Sequence, residues 1–150
     1  MISWNDNLST GIRVIDDDHK FLIGLINTFE KLSSDRSDAT RISSSIDALS
    51  DYAKNHFRRE ELLMMAAGYS DRVEHHAEHE SFCRIADSLA NLYGLCPTLV
   101  NLTGVSDFLS SWLIKHIAVS DRAYIAKLRD NLTLINALAN NLNNDLNFTL

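Results

Sequence analysis

Five histidines and two carboxylates in this chain are spaced as ligands for a pair of metal ions. His56 and Glu60 form an H-x-x-x-E pair, His75 and His79 an H-x-x-x-H pair, and His116 and Asp121 an H-x-x-x-x-D pair, with His19 alone near the start. Residues four apart lie about 40° apart around a helix and about one turn along it, so each such pair projects from one face. His116 and Asp121, five apart, stand about 140° apart on an ideal helix. They either reach the metals from different sides or sit on a locally widened turn. Neutral imidazole and carboxylate are good ligands for first-row metals. Left unpartnered in a helical core, such groups cost on the order of a few kcal/mol each, and metal ligation removes that cost.

A single mononuclear site cannot use all seven ligands, but two metals can. Five imidazoles, two bridging carboxylates and one bridging solvent oxygen fill all but one position of two six-coordinate ions. Five is odd, so one metal carries three histidines and the other two, and the vacancy falls on the poorer metal. A filled site is structural and an open one reactive, so a small molecule can bind there. Two divalent ions, two carboxylates and a hydroxide leave a small positive charge, which suits a small anion or reduced dioxygen. No further acid or base stands out among the ligands, which favours reversible binding over turnover.

Each ligand group falls on a different helix, so the helices must pack for the site to exist. The apolar residues recur at three and four, the helical period. Residues 1–15 are a leader with no clear period. A first helix is expected from about Asp16 to Leu32, with Phe21, Leu22, Leu25, Ile26 and Phe29 as its apolar stripe. A second runs from about Asp38 to Ala67 and stops at Gly68, a good left-handed cap. Ser70 can cap a third, which ends at Gly94. A loop around Pro97 leads to a fourth from about Ser106 to Asp130. Short connections favour an all-α, antiparallel up-down four-helix bundle over residues 1–130. Residues 131–150 read as a C-terminal amphipathic tail, with leucines at 134, 138, 142, 146 and 150 and seven asparagines between 131 and 147.

With 150 residues the chain is long enough for one domain and one core. Its net charge of −6 argues against a nucleic-acid partner. No apolar run is long enough to span a membrane. The N-terminal residues lack a signal-peptide pattern, so the chain is expected in the cytoplasm. Cys83 and Cys96 have neither a disulfide framework nor a C-x-x-C spacing, and Cys83 reads as a small buried hydrophobe. His76 and Glu61 read as exposed neighbours of the ligands. Asp16, Asp17 and Asp18 are most simply charges at a helix N-terminus, although one of them could orient a ligand imidazole.

The strings W-N-D-N-L-S-T-G-I-R-V-I-D-D-D-H-K (4–20), H-F-R-R-E-E-L-L-M (56–64), H-H-A-E-H (75–79) and W-L-I-K-H-I-A-V-S-D (112–121) resemble the hemerythrin family, specifically the bacterial hemerythrins. The resemblance implies reversible O2 binding at a non-haem centre of two iron ions with a bridging oxo or hydroxo group. His75, His79 and His116 would bind one iron, and His19 and His56 the iron with the open position, with Glu60 and Asp121 bridging. Phe57, Trp112, Ile117 and Ala118 would line the O2 pocket. The resemblance implies a bulkier apolar residue at the Ala118 position in many relatives, and hence a roomier or wetter pocket and faster autoxidation here. An oxygen carrier or store is expected. The alternative is an O2- or redox-sensing domain that signals through residues 131–150, as a linker to an output domain or as a homodimer contact. A di-iron oxidase or peroxidase is the weakest reading, because no E-x-x-H motif is present.

Overall fold

The computed structural model describes residues 1–35 and 38–146, with the backbone alone described at residue 131 and over 143–146. Helix α1 spans Arg13–Ser34, α2 Ala39–Ala67, α3 Arg72–Leu95, α4 Leu102–Lys115, α5 Arg122–Leu128 and α6 Leu132–Leu146. Between α4 and α5 the chain forms a π-helical turn, His116–Asp121, so these three pieces make one continuous rod. Among the described residues there is no strand, and no helix is long and apolar enough to cross a membrane. The rods α1, α2, α3 and α4–α5 form the four-helix bundle, with α2 against α1 and α3, and α4 against α1.

The local chemistry explains most of the boundaries. Asp38 caps α2 by accepting from the Arg41 amide at 3.0 Å. Gly68 ends α2 at φ +63°, a conformation that costs glycine little. The third helix does not use Ser70 as its cap, because that hydroxyl donates to Asp71 at 2.6 Å instead. Gly94 lies inside α3 rather than ending it. The fourth helix starts at Leu102, earlier than the periodicity suggests, because Asn101 accepts from the Gly104 amide at 3.1 Å. Phe21, expected inside, is 52% exposed and leans on Tyr52.

The leader is tied down along its length. The Ile2 amide donates to Asn27 Oδ1 at 2.7 Å, and the Asn27 amide returns a bond to the Ile2 carbonyl at 2.8 Å. Further on, Ser9 and Thr10 donate to Asp16. Leu8 and Ile12 are buried.

Residues 132–146 do not stand apart from the bundle. Helix α6 packs on α1 and α2 and buries Ile135 and Ala139 completely or nearly so. Leu138 and Leu142 pack at the edge of the same cluster, whereas Leu134 is 44% exposed. The buried stripe is therefore 135, 138, 139 and 142, the i, i+3, i+4, i+7 pattern. The four-residue leucine line drifts off that stripe by about 40° per step. Leu150 and the other residues from 147 onward lie outside the described residues.

Two apolar clusters fill the bundle. One gathers Ile26, Phe29, Phe57, Phe82 and Ile117; the other gathers Val14, Ile15, Leu63, Tyr124, Leu128 and Ile135. The polar cluster lies between them. Phe57 from the first stacks on His79, and Tyr124 from the second donates to Glu60.

Candidate metal centre

The structure brings all seven candidate ligands of the sequence together, each no more than 4% exposed. α1 delivers His19, α2 delivers His56 and Glu60, α3 delivers His75 and His79, and the π turn delivers His116 and Asp121. The widened turn resolves the five-residue spacing. An i→i+5 turn sets residues five apart above one another, so His116 Nε2 and Asp121 Oδ1 approach to 3.1 Å. The helix has bent its own geometry to aim both ligands at one point.

The two carboxylates each divide their oxygens between two sets of histidines. Glu60 Oε1 lies 3.7 Å from His19 Nε2 and 3.6 Å from His56 Nε2, while Oε2 lies 3.3 Å from His79 Nε2 and 3.9 Å from His75 Nε2. Asp121 Oδ2 faces His19 Nε2 at 3.2 Å, and Oδ1 faces His75 and His116 at 3.4 and 3.1 Å. The donor atoms form two clusters that could each hold an ion, and the clusters share Glu60.

Seven buried polar atoms here have no hydrogen-bond partner among the described residues: both nitrogens of His19, Nε2 of His56 and His75, Oε2 of Glu60 and both oxygens of Asp121. Buried polar atoms are normally satisfied, and unpartnered imidazole nitrogens beside unpartnered carboxylate oxygens are the donor set of a cation. The residues therefore fit a pair of first-row metal ions.

Without a metal, protons compete for the same atoms. Burial pushes the His19 imidazole down, but the Asp121 and Glu60 carboxylates facing its Nε2 outweigh it and raise it to about 10. His79 rises to about 9 against the same burial, through Glu60 and Glu61. Burial pushes Glu60 up, but the surrounding histidines hold it well below the usual carboxylate range. Tyr124, fully buried and facing Glu60 and Asp121, is pushed well above its ordinary value, so its hydroxyl stays a donor.

A ring of acidic residues holds the imidazoles from behind. Asp18, from α1, faces His56 Nδ1 at 3.2 Å; Glu61, from α2, faces His79 Nδ1 at 3.0 Å; Glu78, from α3, faces His116 Nδ1 at 3.0 Å. In each case the acid sits beside a ligand on one helix and orients a ligand on the next. A carboxylate on the far ring nitrogen fixes the tautomer and raises the basicity of the metal-facing nitrogen. Sequence reading sees Asp18 only as one of three candidates, takes Glu61 for an exposed neighbour and misses Glu78. The usable signal was an acid directly beside a ligand, at Asp18-His19, Glu60-Glu61 and Glu78-His79. Asp18 also takes Arg59 Nε and Nη2, both at 2.7 Å, and the Tyr52 hydroxyl at 2.7 Å. Asp16 caps the leader instead, and Asp17 is exposed.

Of the proposed pocket residues, Phe57 stacks on His79 at 4.0 Å and Trp112 stacks on His116 at 4.4 Å. Ile117 is buried. Ala118 does not reach the cluster: it is exposed on the outward side of the π turn, so its small size cannot enlarge a buried pocket. His76 is half exposed, as expected, and bonds Glu61 at 2.8 Å.

Comparison with known proteins meets this geometry independently. The model of the hemerythrin HHE cation binding domain matches residues 10–128. A bacteriohemerythrin of Pseudomonas paraeruginosa is 34% identical over 131 residues, 87% of this chain and 83% of that protein. Myohemerythrin-1 of Phascolopsis gouldii is 33% identical over 125 residues, 83% of this chain and 92% of that protein. A crystal structure of wild-type hemerythrin superposes with a TM-score of 0.79 at 28% identity, covering 85% of this chain and 98% of that one. The matched region spans all seven candidate ligands and the turn that carries the last two, and by the family model and the relatives the chain belongs to the hemerythrin family.

Proposed function

We propose that the chain binds O2 reversibly at a di-iron centre, as a carrier or store. The observation that supports this most directly is the division of Glu60 and Asp121 between His19 with His56 on one side and His75, His79 and His116 on the other. Two ions bound there would be held by three imidazoles, His75, His79 and His116, and by two, His19 and His56, and the poorer set would leave room for an exogenous ligand. Two ferrous ions held there would supply the electrons that bind dioxygen as a reduced, releasable species. The protein supplies confinement. Phe57 stacks on His79 and Trp112 on His116, and Ile117 is buried in the same apolar cluster, which keeps bulk water out. Asp18, Glu61 and Glu78 hold three of the imidazoles in one tautomer. Tyr124 donates to Glu60 and limits its freedom.

Iron per chain and visible spectra with and without air test this. Two irons and an oxygen-dependent charge-transfer band that reverses on deoxygenation are expected. Zinc, haem or a single iron would overturn it.

One observation favours a sensor as the second reading. Tyr124, bonded to Glu60, packs in the same cluster as Ile135 and Ala139 of α6. Movement of Glu60 on oxygenation would thus press on α6 directly. Hydrogen exchange of α6 amides in the oxygenated and deoxygenated protein distinguishes the two, since a carrier leaves them unchanged.

A further inference from the structure

A second pocket lies between the leader and α5, outside the ligand cluster. It encloses about 300 Å³ and is lined by Ser9, Thr10, Ile117, Ile125, Arg122 and Arg129 among others. Its floor is apolar, with Ile117 and Ile125 both buried. Its walls carry two guanidinium groups seven residues apart, two turns along one helical face. Arg122 donates to the Asn7 carbonyl, and Arg129 Nη2 donates to the Thr10 carbonyl at 3.1 Å. Each is thereby held in place through one of its five N–H groups. Neither forms an ion pair with a carboxylate among the described residues. Asp16, at the start of α1, is engaged in the leader turn, where Ser9 Oγ, Thr10 N and Thr10 Oγ1 donate to it at 2.6–2.7 Å.

Two fixed, unpaired guanidinium groups facing one concavity are unusual in a chain with a net charge of −6. Both residues are exposed, so water screens their mutual repulsion, and an anion seated between them would interact with both charges at once. Paired guanidinium forks match the oxygens of a phosphate or sulfate, and two of them match a dianion better than a halide. The geometry points to this pocket as a binding site for a phosphate-type dianion, either free phosphate or the phosphate group of a small metabolite. The volume exceeds what inorganic phosphate alone would fill, which leaves room for an organic group over Ile117 and Ile125. The site is not isolated from the metal centre. Arg122 follows the ligand Asp121 directly, and Ile117 follows the ligand His116. An occupant would brace the π turn from its outer side and clamp the leader to α5.

The test is calorimetric titration of the iron-loaded protein with inorganic phosphate at constant ionic strength, with chloride as the reference anion. One phosphate per chain is expected, with chloride unable to compete at equal concentration. Arg122→Gln and Arg129→Gln should each weaken binding by about tenfold or more, whereas Lys127→Gln, on the exposed Lys127–Asp130 pair, should leave it unchanged. Arg129→Lys, which keeps charge but loses the fork, should fall between. Phosphate binding that survives in the Arg122→Gln/Arg129→Gln double variant and alters the visible spectrum would locate the anion on the iron and overturn the assignment. So would the absence of saturable binding to the unaltered protein, which would leave the arginines as leader clamps only. A tighter fit for a phosphate monoester than for free phosphate would identify the organic half of the pocket as part of the site.

Discussion

Asp18→Asn isolates the contribution of the carboxylate behind His56. The Asp18 and Arg59 side chains are each 6% exposed, and Asp18 receives two bonds from Arg59 at 2.7 Å, one from Tyr52 at 2.7 Å and one from His56 at 3.2 Å. Burial pushes the Asp18 carboxyl up, but His56 and Arg59 outweigh it and hold it below its usual range. Its stabilising charge is therefore present above the ordinary carboxylate pKa and fades as pH falls below it. The amide keeps the volume and removes the charge, leaving a buried guanidinium uncompensated. Breaking a buried pair this way costs about 3–5 kcal/mol. Against a total of about 5–15 kcal/mol that is a large loss. In a chain of this length it lowers the melting temperature by roughly 10 °C.

A second substitution separates fold from metal. Arg59→Leu in the same background removes the stranded charge, so Asp18→Asn/Arg59→Leu should recover most of the stability lost. It does not restore a carboxylate to His56 Nδ1, so iron should still leave about 10–100-fold more readily. Urea unfolding of the metal-free chain reads the first effect, and iron loss to a chelator the second. The reasoning fails if the single variant unfolds within 1 kcal/mol of the parent. It also fails if the double variant retains iron as well as the parent does.

Other expectations are as direct. Tyr124→Phe removes the 2.5 Å donor to Glu60 and should cost about 1–3 kcal/mol, measured by denaturant unfolding; no loss would mean that bond is absent in solution. For pH, His19 and His79 are raised from 6.5 to about 10 and about 9 in the metal-free protein, so the stability they contribute is full below 6.5 and is lost as pH rises through 9–10. Iron must displace those protons, so anaerobic iron affinity should climb between pH 6.5 and 9, and a flat profile would count against bound protons. Ile135→Ala, at a fully buried position, should cost about 2–5 kcal/mol by urea unfolding, and a cost under 0.5 kcal/mol would mean that α6 is not docked. Ala118→Leu, on the exposed side of the π turn, should leave the autoxidation rate unchanged, and a slower rate would return Ala118 to the pocket.

How much was legible follows from what each feature depends on. The clustering of these residues was readable because a helix converts spacing into direction: H-x-x-x-E and H-x-x-x-H each project from one face. The bundle was readable because four periodic segments with short links have few ways to pack. Ala118 was misread because the widened turn changes the direction of every side chain on it, turning 117 inward and 118 and 119 outward. The leucine line gives only part of the α6 face, because it drifts in phase: Leu138 and Leu142 pack in the cluster, but the buried stripe begins on Ile135. The Asp18, Glu61 and Glu78 roles depend on which helix faces which, a tertiary fact that adjacency in sequence only hints at.

The seven unpartnered atoms explain why ligands and fold had to be read together. Each buried polar atom without a partner costs about 1–3 kcal/mol, so the metal-free bundle carries a burden comparable to a domain's whole stability. Bound protons relieve part of it, since His19, His79 and His116 are all raised beside Glu60 and Asp121. A bound metal would relieve the rest, because one ion satisfies several of these atoms at once. Metal binding is then also folding energy, and it acts on every helix that supplies a ligand. The π turn is the clearest sign of that bargain: a rare distortion of α-helical geometry is retained because only it lets His116 and Asp121 share one target. Substitutions that straighten this turn should therefore weaken metal retention and the bundle together, whereas those on its outward face should touch neither.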